Sequence, residues 1–186
     1  MTTEQPGDEE LVRRLRDGDE AAFTALYRRR QGGVYRFAWH MSGSAAVAED
    51  VVQEVFLTLM REAARFDPRR GTVAGYLYGI ARKHVLRVLE RRSREAELAE
   101  VAATSEDVLG RVTREESIQA VRSAVLALPA HYREVVVLCE LEEVDYAGAA
   151  EALGCPVGTV RSRLSRAREL LAEKLAATRE PARCWS

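Results

Sequence analysis

An all-α protein with two helical domains joined by a flexible acidic linker is predicted by three observations. Apolar residues recur at helical spacing along most of the chain, and no run alternates apolar with polar residues over the length of a strand. Gly and Pro are gathered at a few points between the helical stretches, and with only five prolines in 186 residues long helices are permitted. Charge changes sign in blocks, which divides the chain into two basic modules and an acidic connection.

In order, helices are expected over 9–17, 20–41, 45–65, 73–92, 117–128, 130–140, 146–153 and 157–177. The separators are Gly18, Gly43, the loop Asp67-Pro68-Arg69-Arg70-Gly71, Pro129 and the turn Gly154-Cys155-Pro156. Within 48–62, Val52, Phe56, Leu59 and Met60 are core-like, while Glu49, Asp50, Gln53 and Glu54 make a polar, acidic surface near the helix start. The helix dipole accounts for acidic groups there, and a partner with a basic helix would use the same face. On the helix after the DPRRG loop, Leu77, Ile80, Ala81, His84 and Val88 share the stripe expected to be buried. Tyr76, Lys83, Arg87, Arg91 and Arg94 share another. An aromatic beside a cationic stripe suits single-stranded DNA, with phosphates held along the cations and a base stacked on Tyr76 or taken into the loop. A core tyrosine with solvated cations is the plainer alternative for Tyr76 alone.

The formal net charge is −1, which conceals the local pattern. Ten basic residues lie between Arg61 and Arg94, against Glu62, Asp67 and Glu90. The next stretch carries Glu95, Glu97, Glu100, Glu106, Asp107, Glu115 and Glu116 against Arg111 and Arg114. Positive charge then returns near the C-terminus. The pattern implies two DNA-facing modules, at 9–93 and 117–178, with a linker over 94–116 that does not touch DNA.

The most specific segment is DYAGAAEALGCPVGTVRSRLSRARELLAEKL, residues 145–175. Asp145 suits the N-cap of a short helix, Gly154 suits a left-handed exit, and Pro156 suits the start of the next helix, where its missing N–H is no loss. Along the second helix Val160, Leu164, Ala167 and Leu171 fall on one stripe. Gly158, Arg161, Ser162, Ser165 and Arg166 point the other way. This is the helix-turn-helix pattern of a major-groove reader. Arg makes bidentate contacts to guanine and Ser bonds bases or phosphates, so Arg161, Ser162, Ser165 and Arg166 are the expected base readers. Thr159 and Arg163 join them at the DNA-facing surface, and Arg163 and Arg168 suit phosphates.

Other classes find little support. His40, His84 and His131 are far apart, and no HExxH, GxSxG or P-loop is present, so no catalytic residue is expected. Cys139, Cys155 and Cys184 lack metal-ligand spacing; no metal and no cofactor are expected. Cys139 should be buried and inert, Cys155 lies in a turn, and Cys184 is in the tail. The N-terminus is acidic and polar and no apolar run spans a bilayer, which points to a cytoplasmic protein without membrane insertion.

The ordered motifs AEDVVQEVFLTL, YLYGIARKHVLRVLERR, LPAHYREVVVL and GCPVGTVRSRLSRARELL resemble the extracytoplasmic-function group of the sigma-70 family of bacterial sigma factors. The resemblance runs from about Glu9 to Leu175. It implies a region called sigma 2, which recognises and melts the −10 promoter element, and a region called sigma 4, which reads the −35 element. It places Arg69, Arg70, Tyr76, Lys83, Arg87 and Arg91 at the −10 surface. It places Asp50, Gln53 and Glu54 at the clamp helices of the RNA polymerase β′ subunit and rests sigma 4 on the β flap. The partners implied are core RNA polymerase, promoter DNA and an anti-sigma factor. Tyr76 stands where tryptophan is common, Lys83 where asparagine is common and Arg87 where aspartate is frequent; Gly148 and Ala149 replace the usual Glu-Ile.

Without that resemblance, a helix-turn-helix regulator with an N-terminal sensing domain fits the same residues. It would bind a defined operator as a dimer and without polymerase. A redox or metal sensor built on the three cysteines is a third reading. Under the sigma reading, two flexibly tethered modules bind DNA weakly alone and gain affinity when polymerase fixes their spacing.

Overall fold

The computed structural model describes residues 6–99 and 114–179. All regular structure among them is helical: α1 Asp8–Arg16, α2 Glu20–Ser42, α3 Ala45–Glu62, α4 Val73–Ala99, α5 Arg114–Leu126, α6 Ala130–Val136, α7 Tyr146–Leu153 and α8 Val157–Arg179. A 3-10 turn, Ala63–Arg65, ends α3, and a π turn, Val137–Leu141, extends α6.

Caps set the boundaries by local chemistry. The Asp19 carboxylate accepts from the Ala22 amide at 3.0 Å and starts α2; Ser44 starts α3 in the same way through Val47. At the other end of α2, Gly43 takes the left-handed conformation (φ 69°) that other residues adopt only at a cost.

In the first half, α2, α3 and α4 bury Phe37, Met41, Val51, Val55, Leu59, Leu77, Ala81 and Val85 between them, and α1 adds Leu11 and Val12. In the second, α5 to α8 bury Val125, Leu128, Val135, Leu138, Leu153, Val160 and Leu164. Each fully buried aliphatic side chain contributes about 1.5–3 kcal/mol relative to exposure, which is what holds these helices together.

Several sequence expectations are corrected. Met60 is not core: 54 % of its surface is exposed, because α3 gives way to the 3-10 turn just beyond it and no element covers that side. On α4 the buried stripe runs through Leu77, Ala81 and Val85, whereas His84 and Val88 are only half-buried. The 130–140 helix is α-helical only to Val136 and then widens into the π turn, ending with the Glu142 amide bonded to the Val137 carbonyl at 3.0 Å. Helix α4 runs past its expected end at 92 to Ala99. Residues 100–113, with Glu100, Glu106 and Asp107 of the acidic linker, lie outside the described residues, as does Cys184.

The largest departure from independent modules is that the halves pack on each other. Helix α7 lies against α4, and α2 meets both α5 and the π turn. The approach is tightest at Gly75 of α4, where an added Cβ would stand 2.4 Å from the Glu151 carboxylate; at Gly79 it would make ordinary contact, 3.5 Å from the Ala152 carbonyl oxygen. Ala149, Ala150 and Ala152 of α7 are buried.

Candidate nucleic-acid interface

Helix α7, the turn and α8 form the expected helix-turn-helix. The Asp145 carboxylate accepts from the Gly148 amide at 2.8 Å, and Gly154 turns the chain at φ 63°. A side chain at Gly148 would crowd Asp145 Oδ1 at 2.9 Å, so glycine suits this tight cap. The Pro156 carbonyl accepts the first helical bonds, from Thr159 at 2.9 Å and Val160 at 3.2 Å.

The sidedness of α8 is clear. Val160, Leu164 and Ala167 are buried, with Leu171 half-buried, while Gly158, Arg161, Ser162, Ser165 and Arg166 are exposed. Thr159 and Arg163 lie at the boundary between these faces and are half-buried. The free face thus carries two arginines and two serines and no large apolar group. Its donors have local partners in this state: Arg161 lies over the Tyr146 ring at 5.7 Å, Ser162 Oγ donates to the Thr159 carbonyl at 3.1 Å, and Arg166 pairs with Glu169 at 2.7 Å. Such exposed i,i+3 pairs are worth little and exchange readily for a phosphate or base.

In the first half, the 66–72 loop exposes Arg69 and Arg70, and the Arg70 amide bonds back to the Asp67 carbonyl at 3.0 Å. Tyr76 follows at the start of α4. Its ring packs 5.7 Å from that of Phe66, and it is half-buried, with burial raising its phenol pKa. The half-buried ring packed on Phe66 fits the plainer reading of a tyrosine in the local core. Lys83, Arg87 and Arg91 are exposed at helical spacing along α4, and Arg91 pairs with Glu95 at 3.0 Å. Beside the loop lies a cavity of about 890 Å³ whose lining includes Arg13, Arg16, Arg29, Arg30, Phe66 and Thr72.

Sequence reasoning missed the part played by Arg16. Its guanidinium donates to the Ala63 carbonyl at 2.9 Å and to the Phe66 carbonyl, so α1 fixes the start of the loop. No local signal marks this bond, which joins residues 50 positions apart.

Asp50, Gln53 and Glu54 are all exposed along α3. Next to them a groove of about 860 Å³ runs between α2 and α3, lined by Tyr27, Tyr35, Gln53, Phe56 and Met60 among others. An acidic rim beside an apolar groove with an exposed methionine suits a partner helix that carries basic and apolar residues.

Three carboxylates from the second half reach the first. Arg36 forms a two-point bond to Glu142, at 2.9 and 2.8 Å, and the Glu142 side chain is almost wholly buried. Arg82 Nε donates to Glu134 at 2.9 Å, and Glu134 is 1 % exposed. The Thr72 amide donates to Glu151 at 2.9 Å, next to the loop. Desolvation raises the Glu151 pKa, against the lowering effect of the Thr72 bond. Also across this boundary, Arg133 of α6 donates to the Met41 carbonyl at 2.5 Å.

Two cysteines lie among the described residues. Cys139 is half-buried rather than fully buried, and burial pushes its thiol pKa up to about 11; Cys155 is a free thiol in the turn. Among the described residues no group of three or more His, Cys, Asp or Glu could hold a metal ion, and no helix is long and apolar enough to cross a membrane.

A helical protein that joins an arginine-lined loop and helix to a helix-turn-helix has the parts of a promoter-binding factor. Comparison with known proteins agrees: residues 26–95 match the sigma-70 region 2 family and residues 118–171 match sigma-70 region 4. The chain is 33 % identical to the ECF RNA polymerase sigma factor SigE of Mycolicibacterium smegmatis, covering 92 % of this chain and 70 % of that one. It is 34 % identical to the ECF RNA polymerase sigma-E factor of Escherichia coli, over 93 % and 96 %. Among solved structures it is similar to CnrH in complex with the cytosolic domain of CnrY (TM-score 0.70, 27 % identity, 91 % of this chain and 97 % of that). It is also similar to the sigma factor RpoE of Bartonella quintana bound to the anti-sigma factor NepR (TM-score 0.68, 25 % identity, 84 % and 98 %). The chain belongs to the extracytoplasmic-function sigma factors of the sigma-70 family. It is therefore a regulatory subunit that works with RNA polymerase to start transcription at chosen promoters.

Proposed function

We propose that region 4 reads the −35 element through the exposed face of α8, and that region 2 captures the melted −10 strand with the 66–72 loop and the cationic stripe of α4. The observation that carries this reading is the division of α8, with every apolar side chain of its first turns turned inward and Arg161, Ser162, Ser165 and Arg166 turned out. Thr159 and Arg163 flank that face and hold phosphates. In region 2, Arg69, Arg70, Lys83, Arg87 and Arg91 neutralise phosphates, and a non-template base enters the loop beside Tyr76. The α3 face with Asp50, Gln53 and Glu54, together with the groove ending at Met60, takes the β′ clamp helices, and region 4 rests on the β flap.

The domains assigned are 9–93 for region 2 and 117–178 for region 4, with 94–116 between them. Control by an anti-sigma factor is supported by the match to a chain captured with one. Run-off transcription with core polymerase plus this chain, with recovery and sequencing of the bound promoters, tests the reading. A shared −10 and −35 pair among the recovered promoters is expected, and a chain that neither associates with core polymerase nor yields a transcript overturns it.

A further inference from the structure

Resting on the reading that α8 enters the major groove, we infer that Tyr146 is a positioning residue for promoter choice: its ring presets Arg161 for a base and so sharpens −35 selection without touching the base itself. Tyr146 opens α7, next to the Asp145 cap, and 38 % of its surface is exposed, so packing accounts for only part of the ring. The Arg161 guanidinium lies over that ring at 5.7 Å from its centre, inside the ~6 Å range of a cation–π contact. Arg168, paired with Glu140 of the π turn, interacts with the same tyrosine. Two arginines of α8, about two helical turns apart, thus converge on one aromatic side chain of α7.

The kind of contact matters. A ring attracts the charge of a guanidinium and takes none of its N–H donors, so Arg161 keeps its planar fork for guanine O6 and N7. The other arginine of the reading face is held differently. Arg166 commits a donor to Glu169 at 2.7 Å, and that pair has to exchange before the whole fork is free. An untethered arginine samples many rotamers, and on DNA it can settle on a phosphate, which carries no sequence information. A ring that removes part of that freedom in the unbound chain lowers the ordering cost of the base contact. Tyr146 therefore acts on discrimination between bases more than on total affinity.

The test titrates holoenzyme, made with the full chain and core polymerase, against promoters varied one base at a time across an identified −35 element. The chains compared are wild type, Tyr146→Leu, Tyr146→Gln, Tyr146→Phe, Arg161→Ala, and Tyr146→Leu combined with Arg161→Ala. Two ringless variants are used, with thermal unfolding of each, so that a folded chain without the ring is in hand. Arg161→Ala identifies the position that this arginine reads. At that position the ringless variants are expected to lower discrimination about two- to fivefold, the range of an exposed cation–π contact, and to leave the other positions unchanged. Tyr146→Phe keeps the ring and is expected to discriminate as wild type does, and Tyr146→Leu adds nothing once Arg161 is alanine. Ringless variants that match wild type overturn the positioning role. So does an equal loss at every position, or a phenylalanine variant as poor as leucine, because a phosphate contact through the hydroxyl or a loosened fold gives those patterns. A flat Arg161→Ala profile overturns instead the base reading by α8 on which the inference rests.

Discussion

Arg82→Met is the sharpest probe of the energetics of this protein. Glu134 is 1 % exposed, and one of its oxygens accepts from Arg82 at 2.9 Å while the other has no hydrogen-bond partner. At an effective dielectric of about 20, the gross attraction across that distance is roughly 5–6 kcal/mol. Desolvation of both groups offsets much of it, but that cost to Glu134 remains when Arg82 is lost. Breaking a buried pair from one side costs about 3–5 kcal/mol. The Arg82 side chain keeps 29 % exposure, which puts the expected loss near ~3 kcal/mol, on the order of a hundredfold in the folded ratio. Arg82→Met with Glu134→Leu removes both charges and fills the space with apolar atoms, so it should recover at least ~2 kcal/mol of that loss. Urea unfolding followed by Trp39 fluorescence reports the change, since Trp39 packs under the Arg122 guanidinium at 3.8 Å where the halves meet. If the double variant is as unstable as the two single losses added, the uncompensated charge is not the cause and the reasoning fails.

Other predictions concern the DNA and pH. Arg161→Ala and Arg166→Ala should each change promoter choice, with the penalty of ~1–3 kcal/mol confined to promoters that carry the contacted base; equal loss across a panel of −35 duplexes counts against base reading. Lys83→Ala and Arg87→Ala should weaken holoenzyme binding on all promoters and reduce the salt slope by about one each, so an unchanged slope removes them from the phosphate track. Burial, aided by the nearby Glu142 carboxylate, pushes the Tyr78 phenol up to about 12. Its unfolded pKa is ~10. The folded chain holds that proton longer, so stability is complete below ~pH 10 and falls as pH rises to about 12, by roughly 2–3 kcal/mol from this group. Tyr78→Phe should flatten the alkaline decline relative to wild type in urea titrations across that range.

The order of the helices, the caps at Asp145 and Gly154 and the outward face of α8 were legible in the sequence, because those depend on interactions within a few positions. A carboxylate at 145 reaches the amide at 148, a glycine at 154 takes the left-handed turn, and a period of 3.6 decides that Val160 and Leu164 go in while Arg161 and Ser165 go out. Where two periodic stripes lay close together the reading slipped: on α4 the core took Val85 and left His84 and Val88 half-buried, since the neighbouring helices decide which edge of a stripe is covered. Met60 fits the apolar period of α3, yet it is exposed because nothing packs there. Tertiary structure alone decided how the halves sit together. The bonds from Arg82 to Glu134, from Thr72 to Glu151 and from Arg36 to Glu142 span 52, 79 and 106 positions, and each of those glutamates looks like a surface residue in sequence. Gly75 of α4 leaves the space that the Glu151 carboxylate enters. Which helix would fill that space depended on how the chain returned, a property of the whole packed body rather than of any local pattern.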